Sequence, residues 1–305
     1  MATNSATINL SELPVPDAVK VPDAGLIFEG WLNRLRGLDP VYDALLPSDP
    51  VYKQGEVLAY HSTLLRVAMN DSIRAVLLAS ANGTDLDQIG ANFDVARLLI
   101  NPGDPNAVPP VEPVYEDDDA FRTRIQLAWS RLSTAGAENA YTFFAASADP
   151  SILDVRAYGP LDHGRRGEVD IYVLSRDNDG NPTAVVLEKV NQAVNAKDVR
   201  PMTDFVTVKS AAMVKFVVTA DIYIPSGPDI DTVMSASRRA LETYLEQTHR
   251  IGSRVSRSGI DRALHQPGVV TVKLASPVDD LLMDIGQAPL CTEITLKKVI
   301  VNVDT

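Results

Sequence analysis

The residue types that most often bind metals or act as nucleophiles are few in this chain and lie far apart. The four histidines are His61, His163, His249 and His265, and no two of them lie within five residues of each other. Short zinc motifs need closer ligands, so no local metal site is predicted. The single cysteine, Cys291, cannot form an internal disulfide and is expected to pack as a small apolar side chain. We therefore predict no metal, no cofactor and folding in a reducing compartment.

Two charged clusters could bind a ligand or a partner. The acidic run 116–119 directly precedes an apolar-periodic segment, and carboxylates are favoured at such a helix N-terminus, so we prefer this structural role to metal binding. The segment 163–167 holds Arg165 and Arg166 between two glycines. We interpret it as a solvated hairpin loop, with contact to an acidic partner surface as the functional alternative.

Motifs that define common enzyme classes are missing from the sequence. It contains no dinucleotide-binding or phosphate-binding glycine loop, no zinc-protease motif and no serine nucleophile elbow. We therefore expect a protein that is not an enzyme. A catalytic site formed by residues far apart in the sequence stays an open alternative, because a single sequence does not reveal such a site.

Composition and charge narrow the classes further. The 305 residues carry 28 Lys and Arg against 40 Asp and Glu, a net charge of −12. This excess of acids argues against bulk nucleic-acid binding and against docking on an anionic membrane. No apolar run approaches the roughly 18 residues that a membrane helix needs, and the polar start shows no secretory signal. We expect the protein to fold in the cytoplasm of the cell that makes it.

The elements that would position an interaction surface begin with one long helix. Apolar residues recur at a period near 3.6 over 54–81, which predicts an amphipathic helix with one apolar stripe, while Arg66, Asn70, Asp71 and Arg74 lie on the other side. Such a stripe needs partner helices, and the proline-rich arm before it offers one short helix at 25–36. The residues that we predict to face a partner on this segment are Val57, Leu58, His61, Leu64, Leu65, Ala68, Ile73, Val76 and Leu77.

The rest of the chain has the pattern of small α/β units. Strands are predicted at 152–158, 169–175 and 205–208 with a helix at 184–194, and the order is repeated loosely by strands at 214–224, 269–275 and 294–303 with helices at 229–249 and 258–264. The predicted fold class is α+β, with an N-terminal extended arm and long helix followed by two small β-α-β-type α/β domains. The predicted organisation is an arm at 1–53, a long helical segment at 54–100, a proline-rich linker at 101–113, a middle α+β domain at 114–210 and a C-terminal α/β domain at 211–305.

Nine segments, in the expected order over nearly the whole chain, resemble one known family. They are 11–17, 74–79, 83–93, 119–126, 173–177, 198–204, 249–252, 258–260 and 267–269. These segments are similar to the baseplate assembly protein J family of contractile-tailed bacteriophages. The chain departs from the family pattern at 35–54 and 294–305, which affects local contacts.

The resemblance implies a structural subunit of a baseplate wedge, in a phage or in a phage-derived injection machine such as an R-type pyocin. Family members are expected to join a helical bundle with other wedge subunits, similar to the I and W proteins, and to pair with neighbouring copies in a ring around the tail tube. Contacts with tail fibre and sheath proteins are further expectations. The expected location is the virion tail baseplate, assembled in the host bacterial cytoplasm.

Two alternatives remain beside this interpretation. A tail-tip enzyme such as a peptidoglycan hydrolase would need a carboxylate of raised pKa in a cleft, and a cell-wall zymogram distinguishes it. A generic monomeric adaptor would bind one soluble partner, and size-exclusion chromatography with baseplate proteins distinguishes that.

Overall fold

A computed structural model describes residues 8–10, 13–16, 18–133, 135–227 and 229–301. The chain forms two compact units: Met1–Arg97 with Asp117–Ile125, and Leu98–Glu116 with Gln126–Thr305. Within them, helices and small mixed sheets give an α+β fold, as predicted.

The first unit is helical. Its second helix begins with Pro50 at a position where the missing amide donor is not needed, four residues before the predicted start. The ring of Phe28 meets that of Tyr52 edge-to-face at 4.7 Å, and Trp31 lies over Gly55, so the first two helices pack closely. The helices of this part of the chain are α1 (Ala24–Arg36), α2 (Pro50–Ala75), α3 (Gly83–Asn92) and α4 (Asp118–Leu127), with a short 3-10 helix at Pro40–Ala44.

The helix α2 is shorter at its C-terminus than predicted. The apolar period continues to 81, but the helix ends at Ala75. The hydroxyl of Ser80 donates to the carbonyl of Arg74 at 2.7 Å, so this carbonyl is satisfied without a further helical turn.

A second cause of the early end comes from far along the chain. The guanidinium of Arg122 donates to the carbonyls of Leu78 and Ala81, both at 2.8 Å, and holds this segment as turns. Val76 and Leu77 consequently lie outside the helix, and their predicted place on a continuous helical stripe is wrong.

The predicted linker at 101–113 is part of a hairpin. The strands β1 (Leu99–Asn101) and β2 (Val114–Tyr115) pair antiparallel on either side of it, and Asp104 bridges Val111. The prolines indicated a spacer because they remove backbone donors, but they occupy positions of this loop that the short ladder does not use. The stretch therefore closes a hairpin inside one compact unit, and its role as a linker stays a prediction.

The middle sheet has the predicted β-β-α-β order. Its strand order is β3-β4-β5, with β3 antiparallel to β4 and β4 parallel to β5 through the helix between them. Alternating valines and isoleucines of the strands bury against two helices. The elements here are α5 (Glu138–Ala146), β3 (Ile152–Tyr158), α6 (Pro160–His163), β4 (Glu168–Ser175), α7 (Ala184–Val194) and β5 (Phe205–Ser210), with 3-10 helices at Ala128–Leu132 and Asn178–Gly180.

The C-terminal sheet repeats the middle order only in part. Its strand order is β10-β6-β8, with β6 parallel to β10 and antiparallel to β8, and two helices cover the face that carries Val218, Ala220, Ile222 and Ile224. Its elements are β6 (Ala212–Pro225), α8 (Ile230–Thr248), β7 (Arg254–Val255), α9 (Arg257–Leu264), β8 (Thr271–Ser276), β9 (Leu281–Leu282) and β10 (Gln287–Val301). The last strand begins before the predicted 294, and the predicted end at 303 lies outside the described residues.

The two sheets share a buried cluster. Leu174 from the middle sheet packs with Ala211, Ile251 and Ala288, and the carboxylate of Asp154 accepts a hydrogen bond from the amide of Ile251 at 2.8 Å. The chain passes from the middle sheet to the C-terminal sheet between β5 and β6, and this common core joins the two sheets. The predicted domain limits at 53, 100, 210 and 211 stay predictions.

Candidate interaction surface

The helix α2 presents its small and polar residues to its own chain. Gly55, Ala59 and Asn70 are its buried residues. The amide of Asn70, 3% exposed, accepts from the backbone N–H of Val19 at 3.0 Å and donates to the carbonyl of Val19 at 2.9 Å. Arg66 donates to the carbonyl of Lys20 at 3.1 Å. The arm before α1 is thereby fastened along the inner side of α2.

Apart from the buried Ala59, the apolar residues between 57 and 69 point away from this contact. Between 57 and 69 Arg66 is the one charged residue, and it is turned inward, so the outer face carries no charged side chain over about 20 Å at 1.5 Å per residue. Exposed apolar surface of this extent typically marks an interaction site. The exposed residues of this outer face are Val57, Leu58, Tyr60, His61, Leu64, Leu65, Val67, Ala68 and Met69.

The structure brings most of the predicted interface residues together and separates three of them. Val57, Leu58, His61, Leu64, Leu65 and Ala68 lie on the outer face of α2. Ile73 is half-buried, because at about 100° per residue it turns toward the inner side. Val76 is 71% exposed but lies beyond the helix, and Leu77 is half-buried there.

Sequence reasoning missed three residues of the outer face: Tyr60, Val67 and Met69. They fall outside a single stripe at 3.6-residue spacing. The signal that could have found them is the absence of outward charge between 57 and 69, which marks a wider surface than a stripe does.

The arginines of the predicted loop contact have different surroundings. Arg165 forms ion pairs with Glu168 and with the buried Asp170, which also accepts from Lys209 at 2.7 Å. Burial alone would raise the pKa of Asp170, but the hydrogen bonds from Lys209 and Arg165 hold it below its ordinary value. Arg165 therefore contributes to the fold, and because its side chain is exposed its predicted contact with a partner stays a prediction. Arg166 is exposed, and its predicted role stays a prediction.

The acidic run 116–119 has local partners in the fold. Glu116 accepts from the backbone N–H of Leu98 at 2.9 Å, and Asp117 accepts from the N–H of Ala120 at 2.8 Å at the start of α4. Asp119 pairs with Arg122 at 2.6 Å. The prediction that these acids belong to a helix N-terminus is confirmed for residues 117–119, whereas Glu116 bonds the backbone of Leu98.

Two of the four histidines also form hydrogen bonds within the fold. The ring of His249 bonds the carbonyl of Pro289 at 2.6 Å, and that of His163 bonds the carbonyl of Tyr158 at 3.2 Å. Across the part of the chain that the structure describes, no three His, Cys, Asp or Glu residues are grouped so as to hold a metal ion. No helix among the described residues is both long and apolar enough to span a membrane.

One cleft in the second unit holds several acids. It has a volume of about 320 Å³ and is lined in part by Glu138, Tyr141, Asp162 and Asp204. The hydroxyl of Tyr141 donates to Asp204 at 2.8 Å. Burial raises the pKa of Glu138, Arg156 opposes this shift, and the charge of Asp162 adds to it.

A chain whose longest helix turns small and polar residues inward and apolar residues outward has the construction of an assembly component. The comparisons with known proteins agree with this class. Residues 47–104 match the baseplate J-like N-terminal domain, and residues 133–210 match the baseplate J-like central domain. The chain is 39% identical over 293 residues to baseplate protein J of Escherichia phage P2, covering 94% of this chain and 96% of that protein. The chain therefore belongs to the baseplate J-like family.

Proposed function

We propose that this chain is a structural subunit of the baseplate wedge of a contractile tail, in a phage or in a phage-derived injection machine. The outer face of α2 joins helices of other wedge subunits, similar to the I and W proteins, and neighbouring copies form a ring around the tail tube. The single observation that carries this proposal is the uncharged apolar face between Val57 and Met69, exposed in the isolated chain.

The width of this face favours partners on two sides of α2. The exposed apolar residues span an arc of roughly 200° at 100° per residue, whereas a helix packed on one surface has a stripe of about 100°. Tyr60 and Leu64 lie on one side of the arc, and Leu58, Leu65 and Met69 lie on the other. Since α1 and the arm occupy the remaining side, α2 is suited to the interior of a bundle.

Burial by partners would supply useful binding energy. Leu58, Leu64 and Leu65 are about half exposed. Because full burial of such a side chain contributes about 1.5–3 kcal/mol, covering the rest contributes roughly 1 kcal/mol each before ordering costs.

The proposed mechanism is mechanical and needs no catalysis. Contacts between wedges hold one arrangement of the baseplate, and a signal from the tail fibres lets the ring widen and release the sheath. The subunit is assembled in the host cytoplasm and resides in the virion tail baseplate. The family membership and the relative named as baseplate protein J support this location.

Co-expression with the other baseplate proteins of the same particle tests the proposal. Leu65→Asp places a charge on a side chain that is 62% exposed, so the isolated variant should fold normally but recover less than about one tenth of the partner proteins on affinity purification. Leu282→Asp, a matched change at a position 69% exposed in the second unit, should recover them as the original chain does. Equal recovery by both variants would count against the role of α2.

A cell-wall hydrolase is a second candidate because of the cleft that holds Glu138, whose pKa is raised. Such an enzyme uses a protonated carboxyl group as its general acid. A zymogram on cell wall with the original chain and Glu138→Gln tests this candidate. Clearing by the original chain that the variant loses would support it, and no clearing by either chain would remove it.

A further inference from the structure

The strand β10 leaves one edge of the C-terminal sheet open. It pairs with β6 from Gln287 to Val301, and it is the outermost strand in the order β10-β6-β8. Among the described residues, no strand pairs with its other edge, although near its start the carbonyls of Gln287 and Pro289 are already bonded to Gly252 and His249. Backbone N–H and C=O groups along such an edge can accept a further strand.

The side chains along this edge are complementary to the same side chains of a second copy in antiparallel orientation. In an antiparallel pairing of two copies centred on Thr295, Glu293 of one copy lies opposite Lys297 of the other, and Ile294 lies opposite Leu296. Residues 293, 295 and 297 share one face, because side chains alternate along a strand and the hydroxyl of Thr295 donates to Glu293 at 3.1 Å. Two symmetry-related pairs of opposite charge result, together with apolar pairs on the face that packs on the helices.

We propose that two copies of the chain join their β10 strands antiparallel, with the two-fold axis at Thr295. The two three-stranded sheets then become one six-stranded sheet, an isologous contact in which the same surface serves both copies. This inference rests on the proposed function, since it names the surface by which neighbouring copies associate. It uses a different surface from the outer face of α2, so the two can fail separately.

The same features have a protective interpretation. Lysines and β-bulges at an exposed strand edge hinder the addition of a further strand. The edge strand β10 has both features, because it carries Lys297 and Lys298 and its register with β6 shifts between Cys291 and Glu293. If Lys297 and Lys298 only protect the edge, the chain is monomeric and charge reversal at either lysine has no effect on association.

Sedimentation equilibrium of the full chain distinguishes the two interpretations. We expect a monomer–dimer equilibrium whose dissociation constant rises about tenfold or more in Glu293→Lys and in Lys297→Glu, because each change turns two attractive cross-strand pairs into repulsive ones. The double variant Glu293→Lys with Lys297→Glu should return to within about threefold of the original value, because opposite charges face each other again.

Lys298→Glu is the matched control. It makes the same charge change one residue further on, but in the proposed register position 298 faces Thr292, and its ion pair with Asp231 is exposed and contributes little. Its dissociation constant should stay within about threefold. A monomer at all concentrations, equal effects of the changes at 297 and 298, or no recovery in the double variant would overturn the proposal. Loss of partner recovery in Leu65→Asp with an intact dimer would leave it standing.

Discussion

Two helix glycines should respond to alanine in opposite directions. A Cβ at Gly30 in α1 would meet no atom within 4 Å. A Cβ at Gly55 in α2 would lie 2.2 Å from the ring of Trp31 and 2.8 Å from that of Phe28. The same chemical change therefore meets open space in one helix and an aromatic contact in the other.

The magnitudes follow from helix propensity and packing. Alanine in a helix interior is favoured over glycine by roughly 0.5–1 kcal/mol, so Gly30→Ala should raise the free energy of unfolding by about that amount. At Gly55 the same gain is opposed by displacement of the Trp31 and Phe28 rings, and overpacking costs about 1–3 kcal/mol. Gly55→Ala should therefore lower the free energy of unfolding by roughly 0.5–2 kcal/mol.

Urea denaturation followed by tryptophan fluorescence measures both variants. The chain has two tryptophans, and a Trp129→Phe background leaves Trp31 to report on the first unit. An increase in the free energy of unfolding for Gly55→Ala that matches the increase for Gly30→Ala would show that the contact between α1 and α2 is loose, and would refute this reasoning.

Three further changes test the contacts that support the fold. Asn70→Leu removes both hydrogen bonds to Val19, so the free energy of unfolding should fall by about 1–3 kcal/mol and limited proteolysis should cut the arm sooner. Asp170→Asn should lower stability at neutral pH. Because the pKa of Asp170 is depressed in the folded state, its contribution is present above its unfolded value near pH 4 and is lost as the pH falls further, so acid titration of the two proteins should converge. Gly286→Ala and Gly164→Ala both place a Cβ at positive φ, but only the former meets the ring of Tyr172, at 2.3 Å, so its loss of stability should exceed that of Gly164→Ala by about 1–3 kcal/mol in the same urea assay.

Elements determined by local pattern were predictable from the sequence. The helix Ala184–Val194 and the strand Ile152–Tyr158 have the predicted bounds, because their periodicity, caps and flanking turns act within the segment itself. The end of α2 was not predictable in this way. Its carbonyls after Arg74 are satisfied in part by Arg122, and no local pattern reports a partner so far along the chain.

The candidate surface was predictable in kind and only partly in extent. A stripe template finds residues such as Leu64 and Leu65 but omits Tyr60 and Met69, which broaden the face on both sides. The sequence shows no partner for Asp170 far along the chain, whereas its ion pair with Lys209 depends on the pairing of β4 with β5. Tertiary contacts of that kind are decided by topology and are not encoded in the strand itself.

Between 57 and 69 the helix α2 exposes its large apolar residues, whereas helices of folded proteins usually bury them. Stability measurements can show directly that these residues do not support the fold of the isolated chain. Leu65→Asp changes a side chain that contacts little of its own chain, so the free energy of unfolding of the isolated protein should stay within about 0.5 kcal/mol of the original value. Ala59→Asp places a charge at a position that is 2% exposed and should lower the free energy of unfolding by several kcal/mol. Urea denaturation of both variants gives the comparison. If Leu65→Asp destabilised the isolated chain as much as Ala59→Asp does, the outer face would be covered by the chain's own residues, and α2 would have no surface left for partners.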